Sequence, residues 1–180
     1  MLARVSGVIF FLFVGLLAAQ DVRYNQFQEA EYNGIQRHVL KLSLGYGEER
    51  SSTGNFGLLL GRFQYLVTDF FAIRGETGYA MASPQGTTYI PFTLGGDLHI
   101  LPRSALDIYL GGDGGFLYID YPVAGNGVFA RTSLHGGVTF YFWGAFFLDV
   151  EARYNVQHFA RSVVYDLSGL GWNVHVGFYF

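Results

Sequence analysis

Cysteine is absent from the 180-residue chain, so no disulfide staples it, although an oxidising compartment stays open to it. Charge is scarce as well: 14% of residues are charged, where about a quarter is usual for a soluble domain. The 11 basic and 14 acidic residues are scattered, and no basic run is long enough to track a phosphate backbone, which excludes a nucleic-acid partner. Only four prolines interrupt the chain. Beyond the first twenty residues no uncharged apolar stretch reaches the 18 or so that a membrane helix needs. What is plentiful is aromatic and small: 18 Phe, 13 Tyr and 25 Gly, a mixture that suits strands, interfacial rings and tight bends.

Residues 1–19 combine Arg4, an apolar run from Val8 to Leu17 and the small residues Ala18 and Ala19. This is the pattern of a secretory signal cut after Ala19. Its removal takes Arg4 with it and leaves a net charge of -4 from 10 basic and 14 acidic residues. Residues 20–37 are polar with scattered aromatics and are expected to form a periplasmic arm.

From residue 38 the pattern changes to a repeat of two. Eight segments of about the length of a tilted membrane strand follow: 38–47, 55–67, 71–82, 88–100, 105–119, 129–142, 145–157 and 170–180. The seventh is the clearest. Leu148, Val150, Ala152, Tyr154 and Val156 share one face, and Asp149, Glu151, Arg153, Asn155 and Gln157 the other. A strand with one apolar and one polar face needs two solvents, and a closed barrel in a membrane supplies both. Short links after the second, fourth and sixth segments, here 68–69, 101–104 and 143–144, alternate with longer ones at 48–54, 83–86, 120–128 and 158–168, the short-periplasmic, long-external rule of such barrels. The expected fold is all-β, an eight-stranded antiparallel up-and-down transmembrane β-barrel over residues 38–180, in the bacterial outer membrane. Pro91 lacks an amide hydrogen and is expected at an irregular pairing near the rim, and the glycine cluster 111–115 is the expected place for a strand to break.

The polar faces imply an ionic interior. Lys41, Arg62, Arg74, Arg131 and Arg153 oppose Glu76, Asp97, Asp107, Asp113, Asp149 and Glu151, nearly equal numbers that can pair across a narrow lumen. An eight-stranded barrel is only just wide enough for its own side chains, so a closed core, not a channel, is expected. His99 and His175 are expected to join it by hydrogen bonds. Tyr46, Tyr65, Phe70, Phe71, Tyr118, Phe142, Trp143, Phe146, Phe147, Tyr154 and Trp172 lie near segment ends, where aromatic girdles form.

Two groupings are candidates for chemistry. Ser133 and His135 share a face beside Asp149 and Glu151 on the next segment, a possible nucleophile, base and orienter. His158 and Ser162 stand by the rim with Arg161. Each grouping also fits plain lumen packing or loop chemistry. No zinc spacing and no phosphate-cradling glycine loop occurs, so no metal or cofactor is expected. Tyr121-Pro122, Asn126-Gly127, Arg161 and Tyr165 are the loop residues best placed for surface contacts.

On topology, girdles and a terminal aromatic, the chain resembles the small eight-stranded outer-membrane barrels of Gram-negative bacteria, the OmpA/OmpX-like superfamily. That resemblance implies outer-membrane lipid and lipopolysaccharide as surroundings, a monomer, and a last strand read by the barrel assembly machinery after escort by periplasmic chaperones. The residues so marked are Trp172, Val174, Val176, Phe178 and Phe180. A second likeness lies in Leu148-Asp149-Val150-Glu151-Ala152-Arg153-Tyr154, which resembles the run before the active site of outer-membrane lipid A deacylases and implies acyl ester hydrolysis. Those enzymes continue with His-x-Ser-Asn, where this chain has Asn155-Val156-Gln157-His158.

Overall fold

A computed structural model describes residues 38–52, 54–101, 105–122, 125–142, 145–158 and 168–180; the signal and arm segments, Trp143, Arg161, Ser162 and Tyr165 lie outside these. Eight strands close on themselves: β1 (Leu40–Ser51), β2 (Gly54–Leu66), β3 (Phe71–Ala82), β4 (Thr88–His99), β5 (Leu106–Tyr121), β6 (Gly125–Tyr141), β7 (Phe146–His158) and β8 (Gly169–Tyr179). Every neighbour is antiparallel, in the order β1 to β8, and β8 returns to pair with β1. The closing seam runs from Lys41↔Tyr179 to Glu49↔Gly171 and is extended by a reciprocal pair of backbone bonds between Leu40 and Phe180 at 2.9 and 3.1 Å. Closure leaves no sheet edge between first and last strands.

The two-residue rhythm sorts side chains by face. Leu44, Leu59, Phe63, Ile73, Leu94, Leu98, Leu110, Leu134, Val150 and Val176 are exposed on the outer wall, while Lys41, Arg62, Arg74, Asp97, Arg131, Asp149, Glu151 and Arg153 are buried inside. Glycines on the inner face make this crowded interior possible. A Cβ at Gly111 would run into Asp97 Oδ1 and His135 Nε2, and one at Gly137 into the Tyr109 ring.

Four features depart from the sequence reading. The glycine cluster does not break its strand: β5 runs unbroken through 111–115, laddered on both sides, because the missing side chains are what let lumen groups approach. The link at 48–54 is a tight hairpin, with Ser51 paired to Gly54, and the link at 120–128 shrinks to 122–124. The connections outside strands are therefore 52–53, 83–87, 122–124 and 159–168 at one end, and 67–70, 100–105 and 142–145 at the other. Link lengths therefore do not alternate as expected, because strands take up most of 48–54 and 120–128 at the first end. That end is termed the rim, and the end holding both barrel termini the base. Phe147 faces inward, not into a girdle, and packs against Tyr141 at a centroid distance of 6.4 Å. Finally, the lumen is not ionic throughout. Phe56, Leu58, Leu60, Ala80, Tyr89, Leu117 and Ile119 form an apolar cluster inside the rim half of β2–β5.

Of the other described girdle aromatics, eight are exposed on the outer wall and Tyr118 is half-buried. Tyr65, Phe70, Phe71, Phe142 and Phe146 are exposed towards the base, and Tyr46, Tyr154 and Trp172 towards the rim. Pairs cross the seams, as in Phe146–Phe178 at 4.4 Å and Tyr46–Trp172 at 6.0 Å edge-to-face.

Candidate functional site: the ionic lumen

Six strands contribute to a network at mid-height. Glu76 on β3 accepts from Arg62 Nε at 2.7 Å and Arg74 Nη2 at 3.1 Å, and lies 2.6 Å from Arg153 Nη1. Glu151 on β7 accepts from Arg74 Nη1 at 2.7 Å, Arg153 Nη2 at 2.6 Å, Tyr109 Oη at 2.9 Å and Asn173 Nδ2 at 3.2 Å. Arg62 Nη2 stands 3.0 Å from the same carboxylate. Two carboxylates thus share three guanidiniums, an arrangement that offsets the cost of removing each charge from water. Asp149 completes the layer, accepting from Arg62 Nη1, Tyr109 Oη and Thr139 Oγ1 at 2.9, 2.9 and 2.8 Å.

Two smaller groups flank it. Towards the base, Lys41 Nζ donates to Tyr141 Oη at 2.5 Å and sits 5.0 Å from that ring's centroid and 5.7 Å from that of Phe147. His99 Nδ1 lies 2.5 Å from Asp107 Oδ2. Towards the rim, Arg131 donates to Glu49 through two nitrogens, at 2.6 and 3.0 Å, to Asn155 Oδ1 at 2.6 Å and to Tyr89 Oη at 2.6 Å, while Tyr89 donates to Glu49. The eleven charged residues marked in the sequence all lie in this lumen and all are buried. Glu49 was missed: a charged run, Glu48-Glu49-Arg50, reads as a loop, and only the strand register shows that its middle residue points inward.

The residues marked for chemistry are brought close but not into a relay. Ser133 Oγ donates to Asp113 Oδ1 at 2.5 Å, and its hydrogen bond does not go to His135. His135 is held between two acids, with Nε2 at 2.6 Å from Asp97 Oδ1 and Nδ1 at 3.5 Å from Asp113 Oδ2. Glu151 is engaged by three arginines. A general base needs hydrogen-bond reach to its nucleophile, and here serine and histidine are each held by a carboxylate instead. His158 is exposed, its Nε2 2.8 Å from Thr132 Oγ1 on the neighbouring strand. Among the described residues no cluster of three potential metal ligands occurs. His175 shares a 3.3 Å contact with Ser43 Oγ.

The N-terminal β-barrel domain of Pseudomonas aeruginosa OprF superposes with a TM-score of 0.64 at 16% identity, covering 81% of this chain and 100% of that one. The chain has the fold of small outer-membrane barrels. This barrel also matches Neisserial surface protein A, with a TM-score of 0.55 at 16% identity over 78% of this chain and 94% of that one. A de novo designed transmembrane β-barrel matches at 0.55 and 12% identity, over 82% and 99%. Two natural sequences and a designed one, each sharing so little with this barrel, place the likeness in the fold, not in any activity. No protein-family model matches the sequence, and no curated protein matches it.

Proposed function

We propose that this chain is an integral protein of the bacterial outer membrane whose barrel is a closed structural element with neither a conducting pore nor a hydrolytic site. The observation that carries the reading is the pairing of opposite solvents across one wall. Exposed Leu, Ile, Val and Phe ring the outside, and the buried guanidiniums and carboxylates inside pair with one another. In water such an exterior would aggregate, and in lipid an unpaired interior charge would be costly.

Residues 1–19 direct export, residues 20–37 remain in the periplasm, and the rim faces outward among lipopolysaccharide. Trp172, Val174, Val176, Phe178 and Phe180 present the last strand to the assembly machinery after chaperones deliver the chain. The barrel acts as a monomer, and its short rim connections contact other surface molecules at most through small areas. The acyl-hydrolase reading gains no support from geometry, because Ser133 bonds to Asp113 and the His-x-Ser-Asn pattern does not follow Tyr154.

The test is reconstitution of the refolded chain in phospholipid bilayers with current recording, together with gel migration of boiled and unboiled samples. The reading expects heat-modifiable migration and no steady current. A reproducible open-channel current, or a protein that is monomeric in water without detergent, contradicts it.

A further inference from the structure

One seam of the barrel is only partly laddered. β3 and β4 share seven registered pairs, from Phe71↔Leu98 to Thr77↔Phe92, against nine or more in every other seam. Yet β3 continues to Ala82, and β4 already begins at Thr88. Over this rim stretch β3 stays laddered to β2, through Leu60↔Gly78 and Leu58↔Ala80, and β4 to β5, through Pro91↔Leu117 and Tyr89↔Ile119. Each half of the wall is secure, and the two halves share no registered pair along the line between them.

Pro91 is the cause. A strand residue of an antiparallel pair turns its N–H and C=O towards the same neighbour. The Pro91 carbonyl faces β3, where Thr77 Oγ1 donates to it at 3.0 Å. The Pro91 nitrogen therefore faces β3 too, and it has no hydrogen to give. The ladder stops one step short of Gly78. Apolar atoms crowd the seam at that height: the place a Gly78 Cβ would take lies 2.7 Å from Leu60 Cδ2 and 3.4 Å from Pro91 Cγ.

Both sides of this line are apolar. Tyr79, Met81 and Phe92 are exposed on the outer wall, and behind them stands the inner cluster that includes Leu58, Leu60 and Leu117. A sugar or ion crossing here would lose hydration among apolar side chains, whereas a hydrocarbon chain meets matching side chains on both faces of the wall. We propose that the rim half of the β3–β4 seam is a lateral opening through which one acyl chain of a surrounding membrane lipid inserts past Gly78 and Pro91 and packs on Leu60 and Leu117. This rests on the membrane reading above. Insertion breaks no registered backbone pair; it moves the apolar packing around Gly78 and the Thr77–Pro91 hydrogen bond.

The test uses the full refolded chain in vesicles of phosphatidylcholine doped with a phosphatidylcholine carrying a diazirine in its acyl chain. After irradiation, labelled residues are mapped by mass spectrometry. Adducts are expected on inward-facing Leu60 and Leu117 as well as on outward-facing Leu59 and Phe92. Pro91→Val supplies the missing N–H, and inward labelling should fall about fivefold, the shift expected from one regained backbone hydrogen bond, while outward labelling holds. Because the chain has no cysteine of its own, Tyr79→Cys with Ile90→Cys provides a second variant. Oxidised, it should lose the inward adducts, and reduction should restore them. Adducts confined to outward-facing residues overturn the inference and leave the membrane reading standing. No adducts on either face overturn both.

Discussion

Glu49 on β1 holds Arg131 on β6 across the lumen, one carboxylate oxygen on each of two guanidinium nitrogens, at 2.6 and 3.0 Å. The two strands are not neighbours in the wall, so this contact ties opposite sides of the barrel together just below the rim. Bidentate geometry and full burial make it a strong interaction that is costly to break from one side. Glu49→Gln should lower unfolding stability in lipid vesicles by about 3–5 kcal/mol, since Arg131 would keep a buried charge without its counter-ion. Glu49→Leu combined with Arg131→Met should return to within about 2 kcal/mol of the parent. Urea titration followed by tryptophan fluorescence measures both; equal losses in the single and double variants would contradict the pairing.

The inner-face glycines give a second test. Gly111→Ala would place a methyl against Asp97 and His135 and should cost about 1–3 kcal/mol by overpacking. Gly61→Ala meets only Leu44 Cδ2, at 3.9 Å, and should stay within about 0.5 kcal/mol of the parent. The same titration compares the two, and equal effects would mean that lumen crowding does not explain the glycines.

The wall was legible in the sequence because its period is two and its contrast is high. Along β7, Val150 and Tyr154 alternate with Asp149, Glu151 and Arg153, and each faces as the pattern says. Where contrast vanishes, legibility does too. Leu58-Leu59-Leu60 is apolar on both faces, so only the register carried from Arg62 and Gln64 sets Leu58 and Leu60 inward, and the apolar cluster they join is not legible. Gly111 to Gly115 offers few side chains to read, and its continuity depends on what β4 and β6 place opposite it. Glu49 was hidden by charged neighbours, and Phe147 by the assumption that an aromatic near a strand end faces lipid. For the candidate site, residue identities were legible but partners were not. The face shared by Ser133 and His135 does not reveal that Asp113 and Asp97 take their hydrogen bonds.

Those two bonds separate packing from catalysis. Ser133→Ala leaves Asp113 without its hydroxyl donor and should lower stability by about 1–3 kcal/mol. Neither parent nor variant should release fatty acid from lipopolysaccharide in detergent. Release by the parent that the variant loses would restore the hydrolase reading.

The role proposed for the last strand is testable at its end. Phe180→Ala keeps the backbone bonds to Leu40 while removing the ring. Heat-modifiable barrel recovered from cell membranes should fall several-fold, while refolding of purified chain into detergent proceeds as for the parent. Unchanged assembly in cells would remove Phe180 from the recognition signal.

Most direct of all is a charge placed on the outer wall. Leu134 stands near the middle of β6 with 71% of its surface exposed, between Gly112 on one side and Tyr154 on the other. If hydrocarbon surrounds it, Leu134→Arg should destabilise the barrel in vesicles by about 2–4 kcal/mol. A variant as stable as the parent, or more soluble in plain buffer and still folded, would show that water lies outside this wall.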